Sequence, residues 1–154
     1  MVRTRAAGAL LIVNDRADIA KMSGADGVHV GQEDLGVDDV RAMLGPNAIV
    51  GVSTHDAAQI DAAATTSATY IAVGPIYGTA TKDTGYSARG LDLVGYAAER
   101  RAVVAIGGIT LDRAPEVIAA GATSVAVISD LLRADPAEMA RRFRRRLGAA
   151  AGAR

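Results

Sequence analysis

The sequence predicts an α/β fold built on a parallel β-sheet. Six short apolar runs alternate with helix-like segments and recur roughly every 20 residues, which is the spacing of repeated βα units. Strands that alternate with helices are joined by crossovers and therefore run parallel. The runs are apolar at successive positions, as is typical of strands covered on both faces. The predicted strands are residues 10–13, 27–30, 48–52, 70–73, 102–106 and 124–128.

The first predicted strand follows a short helical remnant. Arg3 and Arg5 precede an apolar stretch at residues 6–13, an order that superficially resembles a secretory signal. The stretch is short, and polar residues 14–16 stand where small residues would form a cleavage site. We therefore interpret it as the end of a helix followed by a strand.

The later elements are marked by their boundaries and periodicity. Gly24 and Gly121 precede strands, as the glycines that end helices do. Residues 137–147 form an amphipathic pattern, with apolar side chains at i, i+4 and i+8 from Met139. The five arginines of this segment are interpreted as a solvated face rather than a nucleic-acid surface.

Each predicted strand ends in a polar or glycine-rich turn. The residues after the strands are 14–16 (NDR), 31–34 (GQED), 53–55 (STH), 74–75 (GP), 107–108 (GG) and 129–130 (SD). The reactive side chains thus gather at the carboxyl ends of the strands, where parallel α/β folds bind their ligands. Within these turns, His55 is expected to be a surface loop residue.

Composition excludes several classes of protein. The chain has 154 residues, enough for one domain with a hydrophobic core. Its formal net charge is zero, so nothing indicates a general nucleic-acid or membrane surface, and no apolar run is long enough to span a bilayer. There is no cysteine, which excludes disulfides and thiolate metal sites. A cytoplasmic location is expected.

The loop from Gly74 to Tyr86 predicts an anion site. It presents two hydroxyl donors, Thr79 and Thr81, and the ammonium of Lys82 within four positions. Its glycines let the backbone approach a ligand closely. Phosphate is the expected anion, and an ordinary loop with hydroxyl turns is the alternative.

Six βα units leave two architectures open. A closed (β/α)₈ barrel needs eight strands and commonly about 250 residues. An open sheet needs no closure but leaves unpaired edges. A barrel without its first two strands would also produce this pattern.

Six short motifs occur in order along the chain: 14–16 (NDR), 27–34 (GVHVGQED), 51–53 (GVS), 74–75 (GP), 79–82 (TATK) and 105–109 (AIGGI). In combination, they closely resemble those of the thiamine phosphate synthase family. The resemblance runs from Leu10 to about Leu132. It implies a (β/α)₈ barrel of the TIM type in which the six units are strands three to eight, so that residues 1–154 form a single, partial domain.

The resemblance also implies a transferase. Family members join hydroxymethylpyrimidine diphosphate to a thiazole phosphate, which releases pyrophosphate and forms thiamine phosphate, and their metal is Mg²⁺. The implied route is dissociative: pyrophosphate leaves first, and the thiazole nitrogen traps a stabilised pyrimidine cation. Asp15 and Asp34 are the implied metal ligands, and Lys82 and Ser53 the implied catalytic residues.

The remaining site residues are implied substrate contacts. By resemblance, Asn14 contacts the diphosphate or the pyrimidine, with Ser53 and Lys82 near the diphosphate. The implied contacts of the thiazole phosphate and its surroundings are Thr79, Thr81, Gly107, Gly108, Ile128 and Ser129.

Ordinary structural roles are open for several of these residues. Asn14, Asp15 and Asp34 could cap the helices that follow them. Ser53 could supply a turn or N-cap hydroxyl, and His29 could be a satisfied core histidine.

One departure from the family pattern bears on activity. Family members carry a Gln and a basic Arg and Lys pair for the diphosphate on a strand that has no counterpart here. We therefore expect the 154-residue chain alone to have little or no synthase activity. Open strand edges are expected to favour self-association. The alternatives are a thiazole tautomerase-like protein, or an inactive phosphate-binding fragment that needs further strands or a partner.

Overall fold

The structure, a computed structural model, describes residues 2–78 and 85–151 and contains a six-stranded parallel sheet. The strands follow chain order across the sheet, so that each pairs with the next. They are β1 (Ile12–Asn14), β2 (Gly27–Val30), β3 (Ile49–Thr54), β4 (Tyr70–Val73), β5 (Val103–Ala105) and β6 (Ser124–Val125). All six predicted strands are therefore confirmed.

Helices follow the strands and complete the alternation. They are α1 (Val2–Ala6), α2 (Ala17–Ser23), α3 (Val37–Leu44), α4 (Ala57–Ala64), α5 (Asp92–Ala98), α6 (Ala114–Ala119), α7 (Ser129–Leu132) and α8 (Pro136–Ala151). Gly24 ends α2 in the left-handed conformation, as predicted for a helix C-cap.

The largest difference from the predicted strands is in β6. The prediction ran to Ile128, whereas the strand ends at Val125. Among the strands of the described residues, β6 is the last in the sheet and pairs with β5 alone. The hydrogen bond from Ala126 N to Ala105 O extends this short pairing by one step. The apolar residues after it turn towards the cavity described below instead of continuing the ladder.

Parallel pairing aligns residues of neighbouring strands into rows with alternating surroundings. One row contains Val30, Val52, Ile71 and Val103, which are almost fully buried in the hydrophobic core. The adjacent row contains Asn14, His29, Gly51 and Tyr70 and is called the interior row. The predicted covering of both strand faces by apolar packing is thus only partly right, because the interior row is polar.

The carboxy-terminal helix closes one side of the core. Met139 and Phe143 of α8 are buried, and α8 packs against α6. The predicted amphipathic pattern is confirmed, and the arginines between these residues are exposed. None of the helices in the described ranges combines the length and apolar character that a membrane span requires.

Candidate active site

A cavity of about 320 Å³ opens at the carboxyl ends of the strands, where the sequence places its polar turns. This volume lies within the usual range of small-molecule sites. Its polar lining residues are Asn14, His29, Ser53, His55, Tyr70 and Ser129, and its backbone lining includes Gly107 and Gly108. Six predicted site residues are therefore brought together in the lining: Asn14, Ser53, Gly107, Gly108, Ile128 and Ser129.

The interior row builds the wall of this cavity around a histidine. His29 on β2, Gly51 on β3 and Tyr70 on β4 stand side by side across three strands. The Tyr70 ring lies over Gly51, because a Cβ atom at that glycine would lie 2.0 Å from Tyr70 Cζ. The Tyr70 hydroxyl is 3.0 Å from His29 Nδ1, and the two rings stack at 5.6 Å.

Ser53 engages the other nitrogen of the same histidine. Its Oγ lies 2.8 Å from His29 Nε2. The Gln32 side-chain amide donates to the Ser53 carbonyl at 2.6 Å, which fixes the serine backbone. The N-cap role considered for Ser53 is wrong, because Asp56 caps the following helix by accepting from Gln59 N.

Asp15 and Asp34 follow adjacent strands at the rim of the sheet. Asp15 has a φ of 62° directly after β1, and its N–H donates to the His29 carbonyl at 2.7 Å. Asp34 Oδ2 accepts from Gly31 N at 2.7 Å, which closes the turn after β2. Neither carboxylate caps a helix: α2 and α3 begin after Arg16 and Gly36 without a side-chain cap. The capping alternatives are therefore wrong.

The donor set at this rim is compatible with Mg²⁺. In the described ranges, no group of three or more acidic or histidine side chains forms a ready-made metal cage. Mg²⁺ does not need one, because it commonly takes one or two protein carboxylates and fills its shell with phosphate oxygens and water. Asp15 and Asp34, both exposed, offer hard oxygens of this kind.

The turn after β5 provides backbone donors at the opposite side of the cavity. Gly107 and Gly108 have φ values of 89° and 65°, a region that L side chains rarely adopt. A Cβ at Gly108 would lie 2.6 Å from the Gly78 carbonyl oxygen, so the backbone also leaves no room for one. Successive N–H groups in such a turn form a concave anion site.

Three side chains support this glycine turn from outside. Arg113 donates to the Gly108 carbonyl at 3.1 Å, and its guanidinium lies 4.4 Å from the centre of the Tyr77 ring. The Tyr77 hydroxyl donates to Glu116. Burial, and then this hydrogen bond, raise the pKa of Tyr77 to about 12. None of the three was predicted, since Tyr77 is distant in sequence from Arg113 and Glu116 and the three share no motif.

Ser129 follows the last strand, as predicted, and Ile128 also lies beyond it because β6 ends at Val125. Ile128 is 61% exposed overall, and Ser129 is the first residue of α7. Thr79, Thr81 and Lys82 lie outside the described residues, so their roles remain predictions.

The expectation that His55 is a surface loop residue is wrong. It is only 8% exposed, its Nδ1 donates to the Gly74 carbonyl at 2.5 Å, and its ring stacks on Tyr86 at 4.0 Å. The segment from Tyr86 to Gly90 folds back over the end of β4, where Arg89 N donates to the Pro75 carbonyl. The Arg89 guanidinium lies 4.8 Å from the centre of the Tyr86 ring. His55 is therefore covered by residues distant in sequence, which no local pattern reveals.

Comparison with known proteins places the chain in a family. The model of the family described as "Thiamine monophosphate synthase" matches residues 2–131. The chain belongs to this family. A thiamine-phosphate synthase from Caldicellulosiruptor bescii is 46% identical over 129 residues, which cover 82% of this chain and 59% of that protein. One from Mycobacterium marinum is 47% identical over 146 residues, which cover 92% of this chain and 66% of that protein.

A solved family structure has the same architecture. The thiamine phosphate pyrophosphorylase from Pyrococcus furiosus superposes with a TM-score of 0.86 at 31% identity, covering 96% of this chain and 71% of that one. The six parallel strands with their helices thus form an α/β half-barrel related to the TIM-barrel fold. The chain spans less than two thirds of the length of either thiamine-phosphate synthase named above.

Proposed function

We propose that this chain carries the active site of a thiamine phosphate synthase. The proposed reaction joins hydroxymethylpyrimidine diphosphate to a thiazole phosphate and releases pyrophosphate. One observation carries the proposal: in a chain of this family, a single cavity presents Asn14 and Ser53 on one side and the Gly107 and Gly108 turn on the other. Two anionic substrates would need two such sets of donors around a common space.

The donors define where each substrate would bind. Asn14 and Ser53 would contact the pyrimidine diphosphate, and the Gly107 and Gly108 amides with Ser129 would hold the thiazole phosphate. Thr79 and Thr81 are proposed to complete the phosphate site. Lys82 is proposed to stabilise the departing diphosphate as a point charge.

The proposed reaction is a displacement at the methylene carbon of the pyrimidine substrate. The bond from the pyrimidine methylene to the diphosphate oxygen breaks, and its electron pair leaves with the diphosphate. The lone pair of the thiazole nitrogen then forms the new carbon–nitrogen bond. Val104 and Ile106 line the cavity with apolar surface, which would keep water from capturing the pyrimidine cation.

Asp15 and Asp34 are the residues proposed to hold Mg²⁺. When bound, the ion would neutralise charge on the diphosphate. We expect Asp15→Asn and Asp34→Asn to weaken Mg²⁺-dependent binding of inorganic diphosphate, measured by isothermal titration. Asp18→Asn is the matched control, because Asp18 is an exposed carboxylate that pairs with Arg16 instead. Equal Mg²⁺-dependent affinity in all four proteins would exclude the metal role.

The finer architecture is also a proposal. We infer that β1 to β6 correspond to strands three to eight of a (β/α)₈ barrel, within one domain over residues 1–154. The small-molecule substrates and a cytoplasmic location complete the proposal. In such a barrel, the amino ends of the strands contribute to stability, and the carboxyl ends carry the catalytic residues.

The experiment that tests the function measures the binding of thiazole phosphate to the chain. Titration of the chain with thiazole phosphate should give saturable, stoichiometric binding. Thr79→Val and Thr81→Val should each weaken it by about 1–2 kcal/mol, the scale of a lost hydrogen bond to a charged group. Thr65→Val is the control, because its hydroxyl donates to Ala62 at the end of α4. Absence of binding, or equal affinity in all three variants, would contradict the assignment.

A further inference from the structure

We propose that Tyr70 is a positioning residue that reaches across Gly51 and holds His29 in the tautomer whose Nε2–H donates to Ser53. Ser53 then presents its own hydroxyl proton to an acceptor oxygen of the ligand. The inference deepens the proposed function and rests on it for the identity of that ligand, a diphosphate.

Gly51 lies between Tyr70 and His29 in the interior row. Tyr70 and His29 lie two strands apart, and Gly51 on the strand between them is paired with both. Their side chains can come into contact only across this position. Any side chain at Gly51 would occupy the position of the Tyr70 ring, because its Cβ would lie 2.4 Å from the Tyr70 hydroxyl oxygen. The glycine therefore creates the passage through which Tyr70 reaches His29 Nδ1.

Tyr70 is the donor in its hydrogen bond with His29. Tyr70 is half-buried, and burial raises the pKa of its phenol, which keeps it protonated and able to donate. Within the described ranges, the Tyr70 hydroxyl has no other hydrogen-bond partner than His29 Nδ1. Leaving the proton of this partly buried hydroxyl unbonded costs free energy, so the phenol donates and Nδ1 accepts.

The hydrogen bond at Nδ1 of His29 determines which nitrogen of the ring carries the proton. A neutral imidazole that accepts at Nδ1 carries its proton on Nε2. Nε2 lies 2.8 Å from Ser53 Oγ, so the serine oxygen accepts from the ring. Its own proton is then available to the cavity, which Ser53 lines.

The consequence is selectivity for an acceptor at this position. A serine that donated to the histidine would meet the ligand with lone pairs and would repel an anionic oxygen. A serine that accepts from the histidine meets it with a proton. His29, Gly51 and Tyr70 thus determine that the Ser53 hydroxyl donates to the ligand instead of accepting from it.

The histidine nitrogens report the tautomer directly. The chain has two histidines, so ¹⁵N-labelled histidine gives a simple long-range ¹H–¹⁵N spectrum. His55 serves as the internal reference of opposite sense, because its Nδ1 faces a carbonyl and must carry the proton. We expect His29 to be protonated on Nε2 alone.

The variants test whether Tyr70 is responsible. Tyr70→Phe keeps the ring and removes the hydroxyl, so His29 should lose its single-tautomer signature. Gly51→Ala should produce the same change by displacing the ring. Tyr96→Phe is the control, because that hydroxyl donates to Asp61 outside the cavity. A wild-type His29 with a protonated Nδ1, or an unchanged His29 spectrum in Tyr70→Phe, would overturn the inference.

A double-mutant cycle tests the link to the ligand, with inorganic diphosphate and Mg²⁺ as the probe. Ser53→Ala should weaken binding about tenfold and Tyr70→Phe about threefold, as expected for lost or misdirected hydrogen bonds to a charged group. The double variant should bind as Ser53→Ala does, because Tyr70 acts only through the serine. Independent, additive losses would contradict this coupling. Failure of the wild type to bind diphosphate would count against the proposed function, whereas the His29 spectrum still decides the tautomer.

Discussion

At the scale of single residues, the glycine turn after β5 shows how a backbone conformation shapes the wall of a cavity. Gly107 and Gly108 both adopt positive φ, and both lack space for a Cβ atom. The two effects are separable, because Gly90 has a similar φ of 75° but open space at its Cβ position.

The comparison of these glycines gives the first prediction. Gly90→Ala should lower the free energy of unfolding by about 1–2 kcal/mol, the strain of an L residue in the left-handed region. Gly108→Ala should lower it by about 3 kcal/mol, because a collision with the Gly78 carbonyl adds to that strain. Urea denaturation measures both. Equal losses would show that the collision relaxes at no cost.

The second prediction concerns Tyr77, which supports the same turn. Its raised pKa, about 12, means that the fold favours the neutral phenol. The corresponding stability is fully present below the unfolded pKa of about 10 and is lost as the pH rises towards 12. NMR titration of the tyrosine ring carbon should show Glu116→Gln lowering the pKa of Tyr77. A pKa unchanged in that variant would leave burial as its sole cause.

At the scale of elements, the two ends of the strands differ in their surroundings: the cavity opens at the carboxyl ends, and arginine side chains join the loops at the amino ends. The amino ends are held by arginines whose guanidinium groups donate to loop carbonyls. Arg41 at the end of α3 donates to Pro46, Ala48 and Ser67, which precede β3 and β4. Arg101 before β5 donates to Ala64, Thr66 and Ala68. These contacts join successive βα units at the end remote from the cavity.

The third prediction separates this structural end from the site. Arg41→Met keeps the apolar stem and removes the guanidinium, so it should lower the free energy of unfolding by about 2 kcal/mol. Diphosphate affinity should be unchanged, since the cavity lies at the other ends of the strands. Arg144→Met, on the exposed face of α8, is the control and should cost less than about 0.5 kcal/mol. A loss of diphosphate affinity in Arg41→Met would contradict the separation.

At the scale of the whole molecule, the sheet has two edges among the described residues, β1 and β6. Exposed apolar side chains accompany both: Leu10 before β1 is 66% exposed, and Ile128 after β6 is 61% exposed. Unpaired backbone beside apolar surface promotes pairing between chains.

The fourth prediction is that the 154-residue chain self-associates at micromolar concentrations. Sedimentation velocity should show concentration-dependent association that Leu10→Lys with Ile128→Lys reduces. Met43→Lys is the control, because Met43 is an exposed side chain on α3, which packs against α2 and the inner strand β3. A monomer at every concentration, or an equal effect of Met43→Lys, would show that the edges are not responsible.

Much of this architecture follows from the sequence by itself. Patterns that span a few neighbouring residues predict the six strands, the polar turns at their carboxyl ends and the apolar face of α8. Burial and secondary-structure period are local properties, so these patterns predict them directly. The convergence of Asn14, Ser53 and Gly108 on one cavity follows too, because parallel strands align their carboxyl ends.

Tertiary structure alone decided the contacts between residues far apart in the chain. The pairing of His29 with Tyr70 joins positions 41 residues apart and depends on Gly51 standing between them in register. The burial of His55 depends on Tyr86 folding back over β4. Such contacts are set by strand register and chain return, which depend on the packing of the whole sheet rather than on the residues next to each position.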